Sequence, residues 1–313
     1  MMIVSVKHLR VYFSSPRGQV KALDDVSLDI NKGEIVGLAG ESGCGKSTLA
    51  LAISRLIYPP GRVMGGSVEF DGNDILKLGK EEFRKAYRWK KISMVFQGSM
   101  NGFTPVFTIG DQIREVLEIH GYGGDPKART EELLRMVELD PVVGDRFPHE
   151  LSGGQKQRAF IAMALAVEPP FLIADEPTTA LDVVTQVSIM NLLKKLRREH
   201  QISILLITHD LALLSEIVDR VYILYAGKIA ESGTAKEIFQ EPKHPYTKGL
   251  IASIPMLKSS RIEGIPGFMP DLANLPPGCK FSTRCPYVME VCKKDEPRLY
   301  NVKEGQDVAC WLY

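Results

Sequence analysis

The chain has 313 residues, 44% apolar and 25% charged, enough for a real core in one large or two modest domains. A formal net charge of +1 excludes the global basic field of a nucleic-acid-coating protein. No apolar run approaches the ~18 residues a membrane span requires. Met1-Met2-Ile3-Val4-Ser5-Val6-Lys7 lacks the plan of a signal peptide, so the chain is expected to stay in the cytoplasm.

Residues 3–30 read as β structure. Val26, Leu28 and Ile30 alternate with Asp25, Ser27 and Asp29, the period of a sheet with one wet face. Ser14-Ser15-Pro16-Arg17-Gly18 reads as the turn between two strands. Residues 34–39 read as a buried strand entering Gly40-Glu41-Ser42-Gly43-Cys44-Gly45-Lys46-Ser47-Thr48, which fits G-x-x-x-x-G-K-[ST]. Gly40, Gly43 and Gly45 let backbone N–H groups turn inward around a polyphosphate. Lys46 offers a point charge to the β- and γ-phosphates, and Ser47 a hydroxyl to Mg2+. Ser42, Cys44 and Thr48 complete the loop, Cys44 without assigned chemistry. Leu49, Ala52, Ile53 and Leu56 recur at helical spacing, so a helix N-terminus lies under the phosphates. Ser67-Val68-Glu69-Phe70 adds a strand, so an antiparallel sheet flanks the nucleotide core. The basic run at 84–91 reads as a solvated helix face.

Ile92-Ser93-Met94-Val95-Phe96 reads as a buried core strand with Gln97 at its end. Residues 98–160 read as a helical insertion, with helices at 109–119 and 127–139, the second capped by Asp125 with Pro126 at its first position. Ser152-Gly153-Gly154 opens another helix and offers a second anion site. One nucleotide needs one phosphate loop, so this second site implies that two such chains share each nucleotide. Phe171-Leu172-Ile173-Ala174-Asp175 is the next core strand. Asp175 at its end suits Mg2+, and the adjacent Glu176 suits polarisation of an attacking water. Asp182 is expected to cap a helix whose Ile189, Leu192, Leu193 and Leu196 share one face. Residues 202–208 form a third apolar strand; 221–225 and 228–232 form a hairpin at Ala226-Gly227. Strands alternating with helices predict an α/β fold with a parallel sheet. From Pro242 onward nine prolines recur, which predicts a loop-rich appendage.

Six motifs in this order, Gly40-to-Ser47, Gln97, Leu151-to-Gln155, Asp175-Glu176, Ala180-Leu181-Asp182 and His209, resemble the ATP-binding cassette (ABC) ATPases of transporters. The resemblance covers residues 1 to about 240 and implies a P-loop ATPase with a RecA-like core, an antiparallel β subdomain and a helical subdomain at about 98–160. It implies ATP and Mg2+ as ligands. By the same resemblance Lys46, Ser47 and Thr48 are expected to take the phosphate and Mg2+ contacts. Phe13 is expected to stack on adenine, with Tyr12 as its neighbour and competitor. Gln97 resembles the glutamine that contacts Mg2+ and the attacking water and senses the membrane partner. Glu176 resembles the general base, and His209 the histidine that holds the γ-phosphate. Asp182 is expected to cross to the other subunit, and Ser152 and Gly154 to close over ATP bound by the partner.

Soluble cassette ATPases of DNA repair or translation are the competing class. Repair types typically carry a long coiled coil and translation types two cassettes; this chain has one cassette and a short helical insertion. His244-Pro245-Tyr246-Thr247-Lys248-Gly249-Leu250 and the run 277–286 resemble the C-terminal extension of the dipeptide/oligopeptide importer ATPases, covering about 241–313. Gln97-Gly98-Ser99-Met100 departs from the commoner Gln-Asp/Glu-Pro-Met. The resemblance implies a second ABC ATPase subunit, two membrane-spanning permeases, an extracytoplasmic binding protein, no nucleic acid, and a peripheral seat on the cytoplasmic side of the membrane. Dipeptides or oligopeptides are the favoured cargo, nickel and oligosaccharides being served by the same subfamily.

Cys279, Cys285, Cys292 and Cys310 are spaced C-x5-C-x6-C-x17-C, unlike the close pairs of most zinc sites. Four thiolates in a loop-bound segment suit a [4Fe–4S] cluster, with Zn2+ and free thiols as the alternatives. Subfamily members with this cysteine pattern imply the cluster.

Overall fold

The structure is a computed structural model describing residues 1–16, 18–254 and 264–313; Arg17 of the predicted turn and Pro255 of the proline series lie outside the described residues. The chain opens with strands β1 (Met2–Ser15), β2 (Gly18–Asn31) and β3 (Ile35–Ala39), then helix α1 (Lys46–Ile53). Strands β4 (Gly61–Phe70) and β5 (Asn73–Asp74), helix α2 (Lys80–Ala86) and strand β6 (Ile92–Val95) follow. Helices α3 (Ile109–Ile119), α4 (Pro126–Met136) and α5 (Gly153–Ala164) precede β7 (Phe171–Asp175), α6 (Val183–His200), β8 (Ser203–Ile207) and α7 (Leu211–Ser215). The last elements are β9 (Arg220–Tyr225), β10 (Lys228–Thr234), α8 (Ala235–Gln240), α9 (Pro245–Ala252), α10 (Glu290–Lys294), β11 (Tyr300–Lys303) and β12 (Gln306–Val308). These elements fall into two compact units, one of residues 1, 31–34 and 77–207, the other of 2–30, 35–76 and 208–313.

In the first unit β6, β7 and β8 run parallel, Ile92 opposite Phe171 and Phe171 opposite Ser203. All three are buried along their whole length, which is why they read as continuous apolar runs rather than alternating ones. Between β6 and β7 the described chain is helical, as the sequence predicts. Asp125 caps α4 and Pro126 holds its first position. The helix stops at Met136, short of the predicted Leu139, where Glu138 turns left-handed with φ 60°. The segment after Gln97 is fastened to α5: Ser99 Oγ donates to Gln157 Oε1 at 2.9 Å, and Phe103 meets Phe160 edge-on at 5.4 Å between centroids.

The second unit contains an antiparallel sheet of order β2-β1-β4-β5. Val26, Leu28 and Ile30 are buried and Asp25 exposed, the predicted one-sided pattern. A second set of strands runs β3, β9, β10, β12, β11, with β3 parallel to β9 and the rest antiparallel. The final hairpin is a departure from the loop-rich expectation. Its strands have only four and three residues, too few to register a period. What docks this tail is buried and polar. The Glu231 carboxyl is fully buried, its Oε1 accepting from the Lys243 N–H at 2.8 Å and Gln306 Nε2 at 2.9 Å, its Oε2 from the His244 N–H at 2.9 Å. Among the described residues no helix is long and apolar enough to cross a membrane.

Candidate nucleotide site and cysteine cluster

The phosphate loop bridges β3 and α1, as the sequence predicts. Its glycines are steric requirements. A Cβ on Gly40 would stand 2.1 Å from the Leu224 carbonyl oxygen, and one on Gly45 2.3 Å from that of Ala22; both residues have positive φ. Lys46 is buried, and its ammonium donates to the carbonyls of Gly40 at 2.7 Å and Glu41 at 2.9 Å. Ser42, Gly43 and Ser47 are exposed and Thr48 half-buried. Cys44 is part of the wall: its side chain is fully buried, and burial pushes its thiol pKa up, so it is a packing residue. The cradle of outward-facing hydroxyl, buried cation and Cβ-free turns fits a Mg2+-bound polyphosphate.

The same unit holds the two aromatic candidates. Tyr12 is engaged: its hydroxyl donates to Asp24 Oδ1 at 2.6 Å, Lys21 lies over its ring, and burial followed by the Asp24 bond raises its pKa to about 12. Phe13 is half-buried, its ring over Gly61 of the neighbouring strand. His209 is exposed just beyond β8, and the next residue, Asp210, caps α7 by accepting from the N–H groups of Ala212 and Leu213.

In the first unit, Asp175 is buried at the end of β7. Glu176 follows with φ 48° and its N–H bonded to the Ile207 carbonyl at 2.8 Å. Its Oε2 accepts from Gln97 Nε2 at 2.9 Å and from Thr179 Oγ1 at 2.8 Å. Two motifs far apart in sequence, Gln97 and Glu176, thus meet directly. Thr179 was not singled out by the sequence; it lies three residues beyond Glu176, a spacing that could have signalled a hydroxyl reaching back.

Ser152 caps α5, accepting from the Gln155 N–H while Gln155 Oε1 accepts from the Ser152 N–H. Asp182 caps α6, accepting from the Thr185 N–H at 3.0 Å and its hydroxyl at 2.6 Å. The Thr185 hydroxyl, first among these, holds the Asp182 carboxyl below the usual range. The two helix starts touch: a Cβ on Gly154 would stand 2.7 Å from Thr185 Cγ2, and one on Gly153 3.2 Å from Leu181 Cδ2. The Ser152 and Asp182 caps are therefore set by one packed corner.

Cys279, Cys285, Cys292 and Cys310 are all free and line one small enclosed cavity with Phe281, Tyr287 and Trp311. Cys279 donates its backbone N–H to the Cys292 carbonyl at 2.8 Å, and a Cβ on Gly278 would stand 2.3 Å from that oxygen. Burial, and then the neighbouring thiols, push the Cys279 pKa up to about 11. Four soft donors share one cavity, yet among the described residues no three His, Cys, Asp or Glu are arranged to hold a metal ion.

Comparison with known proteins agrees with this geometry. Residues 23–179 match the ABC transporter family and residues 230–292 the oligopeptide/dipeptide transporter C-terminal region. The dipeptide transport ATP-binding protein DppD of Haemophilus influenzae is 46% identical, over 96% of this chain and 93% of its own. The oligopeptide transport ATP-binding protein OppD of Escherichia coli is 43% identical, over 99% of this chain and 93% of its own. Among solved structures, the dimeric ATP-binding cassette MJ0796 in a post-hydrolysis state bound to ADP and Pi matches with TM-score 0.66 and 33% identity, over 74% of this chain and 98% of that one. A phosphate loop, a carboxylate pair met by a loop glutamine, and a tail matched by its own family thus occur in one chain, which belongs to the ABC transporter ATPases of the oligopeptide/dipeptide type.

Proposed function

We propose that this chain is the ATP-hydrolysing subunit of a membrane importer for dipeptides or oligopeptides, seated peripherally on the cytoplasmic side. Residues 1–240 form the nucleotide-binding domain and 241–313 the importer-type extension. The partners are a second ABC ATPase, identical or different, two permeases and an extracytoplasmic binding protein. The observation that carries the reading is the 2.9 Å contact from Gln97 to Glu176. A base must be held where an attacking water will sit. Here its carboxylate is held by Gln97, two residues beyond the end of β6, together with Thr179, and the segment that follows exposes Val106 and Phe107, suited to a protein partner.

In this reading Glu176 takes the proton of the attacking water, while Gln97 and Thr179 orient its carboxylate. Lys46 holds the β- and γ-phosphates, His209 the γ-phosphate, and Phe13 the adenine face. Ser47, Gln97 and Asp175 would hold Mg2+, which neutralises phosphate charge when bound. Ser152, Gly154 and Asp182 reach ATP held by the partner cassette, so closure needs both nucleotides. The experiment is recovery of tagged protein from gently solubilised native membranes. Two multi-spanning proteins with a second cassette are expected; only soluble partners, from an intact fold, would overturn the importer reading and favour a soluble ATPase.

For the cysteines we propose a [4Fe–4S] cluster. Four thiols lining one cavity offer four attachment points, and their C-x5-C-x6-C-x17-C spacing lacks the close pairs of most zinc sites. Its role is to staple a segment short of apolar core. Anaerobically purified protein is expected to be brown with about four irons per chain; colourless protein with stoichiometric zinc would reverse the assignment.

A further inference from the structure

The C-terminal segment reaches the phosphate loop itself. Arg284, one residue before Cys285, is almost fully buried and forms a two-pronged ion pair with Glu41, Nη1 to Oε2 at 2.8 Å and Nη2 to Oε1 at 3.0 Å. Glu41 is the second residue of the phosphate loop, 243 positions away. The remaining guanidinium donors are also used: Nε bonds the Pro266 carbonyl at 2.8 Å, Nη2 the Ile265 carbonyl at 3.3 Å and Nη1 the Tyr225 hydroxyl at 3.4 Å. A second tail residue, Tyr246, is fully buried and its hydroxyl oxygen accepts the Glu41 N–H at 2.8 Å. Tyr225, Tyr246 and Phe281 pack together at 4.5–5.4 Å between centroids and wall the guanidinium in.

The electrostatics give this contact a purpose. Glu41 puts a carboxylate into a loop whose ligand is a polyanion, a placement that opposes binding unless compensated. Its partner is a buried bidentate arginine, the strong and geometrically defined form of such a pair, unlike an exposed salt bridge. A guanidinium is not deprotonated in proteins, so the compensating charge is permanent.

We infer that Arg284 is a positioning residue of the nucleotide site, supplied by the C-terminal segment: it neutralises and holds Glu41 so that the phosphate loop accepts ATP. The tail is thereby part of the nucleotide site as well as a cap on the fold. The inference rests on the reading of the loop from Gly40 to Ser47 as the ATP site. That reading is checked separately by wild-type binding of a fluorescent ATP analogue with Mg2+ and its loss in Lys46→Ala.

The test is equilibrium titration of full-length variants with the same analogue, alongside steady-state hydrolysis, melting temperature and metal content. Arg284→Ala is expected to weaken ATP binding about tenfold and to raise KM by a similar factor, with kcat at saturating ATP within about twofold. Adding Glu41→Gln removes the stranded charge, so the double variant is expected to return to within about threefold of wild type. A merely structural role for Arg284 would tie both the affinity loss and its recovery to the melting temperature, whereas the positioning role moves affinity in variants that melt as wild type does. Lys293→Ala, which removes an exposed tail cation paired with Glu290, is expected to leave affinity unchanged. Affinity within twofold of wild type in Arg284→Ala, or a loss that Glu41→Gln does not recover, would overturn the inference. Should Arg284→Ala fail to fold, Arg284→Lys decides: it keeps the charge, so affinity within threefold of wild type supports the inference and a tenfold loss refutes it.

Discussion

At the scale of single residues, hydrogen bonding separates candidates that sequence cannot. Tyr12 and Phe13 are adjacent aromatics on one strand, and their identities do not say which faces a ligand. Their bonds differ: Tyr12 is committed to Asp24 at 2.6 Å, whereas Phe13 lies over a glycine with no polar group to satisfy, which supports the proposal of Phe13 as the adenine contact. Phe13→Ala is expected to weaken ATP binding about tenfold, from a stacking contribution of about 1–3 kcal/mol. Tyr12→Phe should leave that affinity unchanged and cost about 1 kcal/mol of stability through the lost bond. Titration with ATP and denaturant unfolding check the pair, and the reverse pattern would reassign the adenine contact to Tyr12. The phosphate-loop residues were legible because each local requirement, a turn without Cβ or a buried cation, leaves its mark in the residue type itself. Arg284 was not legible, since nothing in the sequence around position 284 points to position 41.

Among elements, the helices that present Ser152 and Asp182 are set by a shared contact. Gly154 has no Cβ because Thr185 occupies that space. Gly154→Ala should therefore cost about 1–3 kcal/mol by overpacking. Thr185→Ser in the same chain removes the offending methyl, keeps the hydroxyl on Asp182 and should recover most of the loss. Urea unfolding of the two singles and the double measures this; strictly additive effects would contradict a direct contact. Caps at Asp125, Ser152 and Asp182 were predictable because capping is a local rule written into three or four residues. The buried strands β6, β7 and β8 were predictable because parallel pairing demands continuous apolar runs. The hairpin β11–β12 escaped notice because its pairing partner, β10, is remote and its strands too short to carry a pattern.

For the whole molecule, the tail depends on Glu231. Its carboxyl serves the Lys243 and His244 N–H groups and the Gln306 amide. In Glu231→Ala these buried donors lose their acceptor, at about 1–3 kcal/mol each. The expected outcome is a tail that opens first, seen as fast proteolysis and hydrogen exchange beyond residue 241 while β6–β8 stay protected. Exchange in the tail as slow as in wild type would contradict this role. The six motifs fix the nucleotide chemistry; in the proposed importer the cargo is chosen by the permeases and the binding protein, so the residues of this chain carry no imprint of the transported solute. Hydrolysis of ATP with Glu176 as the proposed base is tested most directly by the turnover of Glu176→Gln. The variant is expected to bind ATP as tightly as wild type, to lose about 10²–10⁴-fold in kcat, and to accumulate in ATP as a closed cassette dimer. Turnover near the wild-type rate would contradict it and remove Glu176 from the base position.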